Sequence, residues 1–195
     1  VTNFGLNTKY HASVEHPTRI YDGDFEGIGL NHIIESEYEG EKLFPVRGKS
    51  CSTNAMPFLS KKFQTYSEFG MAELDEIYTD ESLEKSYRVE VNTLEPGVLI
   101  NNGKGHFEFR PLPRRAQIAP CFGSAFEDVD ADGNLDLILI QNFYPAQRET
   151  GQLDGGVSLL LQGDGQGGFD PIWPSQSGLV VPGDGTSLAR ADPNG

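Results

Sequence analysis

The sequence predicts a mainly β chain: several blades of a β-propeller in an incomplete ring, interrupted by a small helical insertion. Three observations lead there. Of the 195 residues, 23 are Gly and 12 are Pro, a punctuation that suits many short strands and turns in a chain long enough for a proper core. The acidic run Asp128-Val129-Asp130-Ala131-Asp132-Gly133-Asn134-Leu135-Asp136 feeds directly into the apolar segment Leu137-Ile138-Leu139-Ile140, as a tight loop feeds a buried strand. Gly-rich turns between strand-like runs also recur at a constant offset, with Gly103, Gly105 and Phe107 matching Gly165, Gly167 and Phe169 62 residues later. A repeat of about this size, built from short strands, is the pattern of propeller blades.

Taken from the start, Val1-Thr2-Asn3-Phe4 reads as a strand end similar to Ile140-Gln141-Asn142-Phe143, and Gly5 to Pro17 as loop. His11 and His16 in that loop lack the spacing of a zinc motif. Asp24 to His32 aligns with the acidic loop if Asp24 takes its first position. Glu26 then falls at position 3 and Gly29 at position 6, while Ile28 and His32 replace the carboxylates at positions 5 and 9. Strands are expected over His32 to Tyr38 and Glu41 to Arg47, joined by the turn Glu39-Gly40.

Residues 50 to 90 carry the helical signals and are expected to form an insertion within a single segment spanning 1–195. Thr65-Tyr66-Ser67-Glu68 has the form of a capping box, and Tyr66, Phe69, Leu74, Ile77 and Tyr78 share one helical face, so one helix is expected to end near Thr79. Asp80 is expected to cap a second helix bearing Leu83 and Tyr87. Gly97 to Phe109 and Gly156 to Phe169 then read as strand, Gly-rich turn, strand. No Gly-Lys-Ser/Thr follows either turn, so neither is read as a phosphate loop. Near the end, Asp192 and Asn194 fit the first and third positions of another acidic loop, which would truncate the segment at both ends.

The chemistry of Asp128 to Asp136 follows from its spacing. Carboxylates at positions 1, 3, 5 and 9 (Asp128, Asp130, Asp132, Asp136) can converge on one hard cation if the backbone turns tightly, and Gly133 permits the turn. The carbonyl of Asn134 is the natural fifth ligand. Ca²⁺ takes six to eight oxygens and suits this set better than Mg²⁺. The loop is not an EF-hand, because Leu139 stands where the bidentate Glu would be and a strand replaces the exiting helix. The competing reading is an acidic surface turn.

Charge and cysteine content set further bounds. With 15 basic and 29 acidic residues the formal charge is −14, which disfavours nucleic acid and anionic membranes as partners. No apolar run reaches the length of a membrane span, and the opening Val-Thr-Asn has no leader character, so a targeting signal is expected to lie upstream or to have been removed. Cys51 and Cys121 fit either one disulfide or two separate buried thiols.

Two motifs carry a resemblance to a known family. Asp128-x-Asp130-x-Asp132-Gly133-x-x-Asp136 ahead of an apolar strand, and the hairpins ending at Phe107 and Phe169, resemble the FG-GAP/VCBS repeat β-propellers of integrin α-subunit heads and secreted bacterial proteins. Asn3 to Asn7, Arg47 to Cys51 and Ser177 to Asp184 are more specifically similar to the exported bacterial proteins related to cartilage acidic protein. The resemblance implies a Ca²⁺ site at Asp128, Asp130, Asp132, Asn134 and Asp136, and an extracellular or periplasmic location. The function expected is a calcium-binding scaffold for binding or adhesion, without catalysis. Alternatives are part of a propeller enzyme acting on polysaccharide, or a structural segment of a larger exported protein. The expected partner is a protein or carbohydrate, with self-association through open sheet edges as a further route.

Overall fold

The computed structural model describes residues 1–146 and 150–191. The chain is mainly β, with several antiparallel sheets, and among the described residues none of the sheets closes on itself. It divides into two compact units, Tyr10–Thr93 and Val1–Lys9 together with Leu94 onward. The acidic-loop start expected at Asp192 and Asn194 lies outside the described residues.

In the Tyr10–Thr93 unit, strands β1 (Thr18–Gly23), β2 (His32–Glu39), β3 (Lys42–Pro45) and β4 (Tyr87–Val91) form an antiparallel sheet in the order β3-β2-β1-β4. Period-2 alternation sends Tyr21 and its partner Ile34 to one face, where five helices cover them. These are α1 (Lys49–Ala55), α2 (Phe58–Lys62), α3 (Tyr66–Met71), α4 (Leu74–Tyr78) and α5 (Asp80–Lys85). Leu59, Leu74 and Ile77 fill the space between sheet and helices and are essentially inaccessible to solvent. On the opposite face Asp22 pairs with both Ile33 and Tyr87, and these two apolar side chains stand exposed.

The helical segment departs from expectation in four places. The capping box forms, with the Glu68 amide donating to Thr65 Oγ1 and the Thr65 amide to Glu68 Oε2. The single helix expected to reach Thr79, however, is broken at Ala72. Gly70 weakens the last turn of α3, and Glu73 opens α4 with a reciprocal capping box of its own to Glu76. Tyr66 does not join the buried stripe. It is exposed, its hydroxyl within 3.0 Å of Ser50 Oγ and its ring under the Lys49 ammonium. Thr79, at φ 64°, ends α4 and caps α5 through its hydroxyl, so Asp80 is the first residue of that helix and not its cap; Tyr87 lies in β4.

In the other unit, β7 (Cys121–Glu127), β8 (Asp136–Gln141), β9 (Leu159–Gly163) and β10 (Phe169–Ile172) make a sheet in the order β10-β9-β8-β7, while β5 (Gly97–Asn101) and β6 (Phe107–Pro111) form a separate two-stranded sheet. A short helix α6 (Pro174–Ser177) follows. Val98, Leu112, Cys121, Leu137, Leu139, Leu159 and Leu161 form the core. The segment expected as a strand at Val1 to Phe4 is not one, although its carbonyls accept from the amides of Gly97 and Cys121. Neither Cys51 nor Cys121 is in a disulfide, and burial pushes the Cys121 thiol up to about 11.

The two Gly-rich hairpins share one register. Asn101 pairs with Phe107 as Gly163 pairs with Phe169, and each pair encloses a five-residue turn. Asn102 Oδ1 accepts from the amides of Lys104 and His106, as Asp164 Oδ1 accepts from those of Gln166 and Gly168. Leu161, at the centre of its sheet, has no exposed surface. Leu161→Ala should therefore lower unfolding stability by about 2 to 5 kcal/mol in urea denaturation, whereas Phe107→Ala, at an exposed position, should change it by less than about 0.5 kcal/mol.

Candidate metal centre

The strands β7 and β8 end their pairing at Glu127 opposite Asp136, and the eight residues between them fold into a compact loop. Left-handed backbone at Ala131 (φ 61°) and Gly133 (φ 89°) turns the chain back on itself. Carboxylates then hold the turn by accepting from its amides. Asp128 Oδ1 accepts from Asp132 N at 3.1 Å and Oδ2 from Gly133 N at 3.0 Å, and Asp130 Oδ1 also accepts from Asp132 N at 3.1 Å. Asp132 accepts from the backbone amide of Asn134 at 2.7 Å and from its side-chain amide at 3.1 Å.

Asp136 is the anchor. Only 2% exposed, it accepts from Val129 N through Oδ2 and from Gly163 N through Oδ1, both at 2.9 Å. The second bond requires β9 to come very close to the loop. A Cβ on Gly163 would sit 2.1 Å from the Leu135 carbonyl oxygen, so glycine is needed there, and Gly165 takes a left-handed φ of 72° beside the Asn134 side chain. Gln162, in β9 one residue before Gly163, donates from Nε2 to Asp130 Oδ2. Sequence reasoning missed Gln162 and the Gly163 amide. The available signal was that Gln162 occupies the hairpin position filled by apolar Ile100 in the other copy.

One carboxylate oxygen each from Asp128, Asp130 and Asp136 lies within 4.8 Å of the others, a group that could hold a metal ion. Two oxygens at 2.3 to 2.6 Å from one Ca²⁺ stand at most about 5.2 Å apart, so the set fits such an ion in spacing and in donor type. At about 4.8 Å, two carboxylates repel by roughly 1 kcal/mol in water and about 3.5 kcal/mol at an effective dielectric of 20, a cost that a divalent cation removes. Of the expected ligands, Asp132 is outside this group and is turned toward Asn134, whose side chain packs against Gly165.

The loop between β1 and β2 repeats this backbone with only two of the carboxylates, Asp24 and Glu26. Gly23 pairs with His32 as Glu127 pairs with Asp136, and left-handed Gly27 and Gly29 stand where Ala131 and Gly133 do. Asp24 does the work of Asp128, with Oδ2 accepting from Gly29 N at 2.7 Å and Oδ1 from the amides of Glu26, Gly27 and Ile28. Glu26 and His32, at the places of Asp130 and Asp136, face each other at 3.6 Å with little exposure. Elsewhere in this unit, a cleft of about 340 Å³ is lined by His32, Glu35, Arg47, Cys51 and Tyr78 among others. Among the described residues, however, no further group of three metal-ligating side chains converges.

No protein-family model, curated protein or solved structure matches the chain.

The amide bonds of the β1–β2 loop, that of Gly29 foremost, hold the Asp24 carboxyl below the ordinary carboxylate range. A depressed folded value means that Asp24 stabilises the fold above the unfolded carboxylate value, about 3.9, and that this contribution disappears as pH falls through the folded value. The stability difference between the parent chain and Asp24→Asn should accordingly be largest at neutral pH and should shrink as pH falls below about 4 in pH-dependent urea denaturation.

Proposed function

We propose that the chain is a calcium-binding segment of an extracellular or periplasmic β-propeller of the FG-GAP/VCBS type, serving as a non-catalytic scaffold for binding or adhesion. The observation that carries this reading is the convergence of Asp128, Asp130 and Asp136 in the loop between β7 and β8. All the donors are hard oxygens, which favours Ca²⁺ or Mg²⁺ over thiolate-seeking metals, and the wider spacing favours Ca²⁺. Two further observations support the architecture. The acidic-loop hairpin and the Gly-rich hairpin each occur twice in a constant pairing register, and the sheets remain open at their terminal strands.

In this reading Asp128, Asp130 and Asp136 each offer one oxygen, the Asn134 carbonyl contributes another, and Asp132 joins on giving up its bonds to Asn134. The ion supplies charge neutralisation that lets four carboxylates share one short loop. The partner is a protein or carbohydrate held on a surface that the calcium loop keeps rigid. No helix among the described residues is long and apolar enough to cross a membrane.

Titration calorimetry on the whole chain should show one Ca²⁺ site, with Mg²⁺ binding more weakly. Calcium at about 100 times its dissociation constant should add roughly 2.7 kcal/mol of stability. Asp130→Ala should abolish both effects; a variant that binds and is stabilised like the parent contradicts the assignment.

A further inference from the structure

We infer that Gln162 is a positioning residue of the metal centre, supplied by the neighbouring hairpin, and that through it ion binding in the β7–β8 loop is felt in β9 and β10. The inference rests on the calcium reading above and extends it to a residue outside the loop. Gln162 belongs to a hairpin whose counterpart carries apolar Ile100 at the same place. The register of the two hairpins is identical, so the difference lies in the side chain and not in the backbone. In the β5–β6 copy Ile100 packs against the hydrophobic core. Here the side-chain amide reaches Asp130 Oδ2, while Asp130 Oδ1 accepts from the Asp132 amide.

Asp130 needs such a hold more than its neighbours do. Asp136 is buried and fixed by two backbone amides, whereas Asp130 is exposed and would otherwise keep most of its rotamer freedom. A donor from β9 fixes the carboxylate in the pose that puts it with Asp128 and Asp136, so that less ordering is left for the ion to accomplish. The same strand also donates the Gly163 amide to Asp136, and Gly165 in the next turn packs against Asn134. Two of the three converging carboxylates are thus held from the β9–β10 hairpin, and an ion that fixes them fixes that hairpin as well.

The test compares the parent chain with Gln162→Leu and Gln162→Met, both of which remove the donor; the second keeps the length of the side chain. Calcium calorimetry, the urea midpoint without calcium, and hydrogen exchange of Leu159–Ile172 with and without calcium are read together. The expected result is about tenfold weaker Ca²⁺ binding in both variants, an unchanged calcium-free midpoint, and loss of most of the calcium-dependent slowing of exchange in β9 and β10. Parent-like affinity and exchange in both variants overturn the role of Gln162 and leave the calcium site standing. A variant that loses calcium-free stability in proportion to its affinity marks Gln162 as an ordinary structural contact and also overturns the role. A parent chain that binds no calcium overturns this inference together with the function it rests on.

Discussion

The burial of one carboxylate constrains everything around it. Asp136 opens strand β8 from within the sheet, where an ionised group without partners would cost several kcal/mol, and it is kept there by amides from two directions. Val129 ties it to its own loop and Gly163 to the next strand. From these two bonds follow the close approach of β9 and the glycine at 163. They also bring Asp128 and Asp130 onto the same small volume as Asp136. The loop is part of how the sheet is assembled as well as a place where an ion can sit.

The β1–β2 loop shows which features belong to the turn and which to the ion. Its hairpin register, its left-handed positions and the carboxylate that caps its amides are all retained. What differs is the third, fifth and ninth positions, where Glu26, Ile28 and His32 stand in place of Asp130, Asp132 and Asp136. A backbone of this kind therefore stands on Asx-type hydrogen bonds alone. The β7–β8 loop adds carboxylates that repel one another, and three of these, Asp128, Asp130 and Asp136, form a group that could hold a metal ion.

Much of this was legible in the sequence because it is local. Turn chemistry at Asn102 and Asp164 depends on residues within four positions, and so do the glycines that follow; a constant offset between the copies was enough to find both hairpins. The capping box at Thr65 was readable for the same reason. The break at Ala72 was not, since Glu73 at the start of α4 competes with the apolar periodicity that runs on to Tyr78. The pairing of β4 with β1, which takes Tyr87 out of a helix, and the reach of Gln162 to Asp130 join residues 65 or 32 positions apart, and no local pattern encodes them. Asp132 marks the boundary: spacing groups it with the other carboxylates, whereas in the fold it answers to Asn134.

The central claim is that Asp128, Asp130 and Asp136 form a calcium centre, and the most direct measurement is a crystal structure of the chain grown in calcium, with anomalous scattering used to locate the ion. The account predicts one calcium peak in the β7–β8 loop, with oxygens of these three residues at 2.3 to 2.6 Å in a shell of six to eight, and no peak between Glu26 and His32. A β7–β8 loop holding only water at saturating calcium, or a calcium peak at Glu26 and His32 instead, would contradict it.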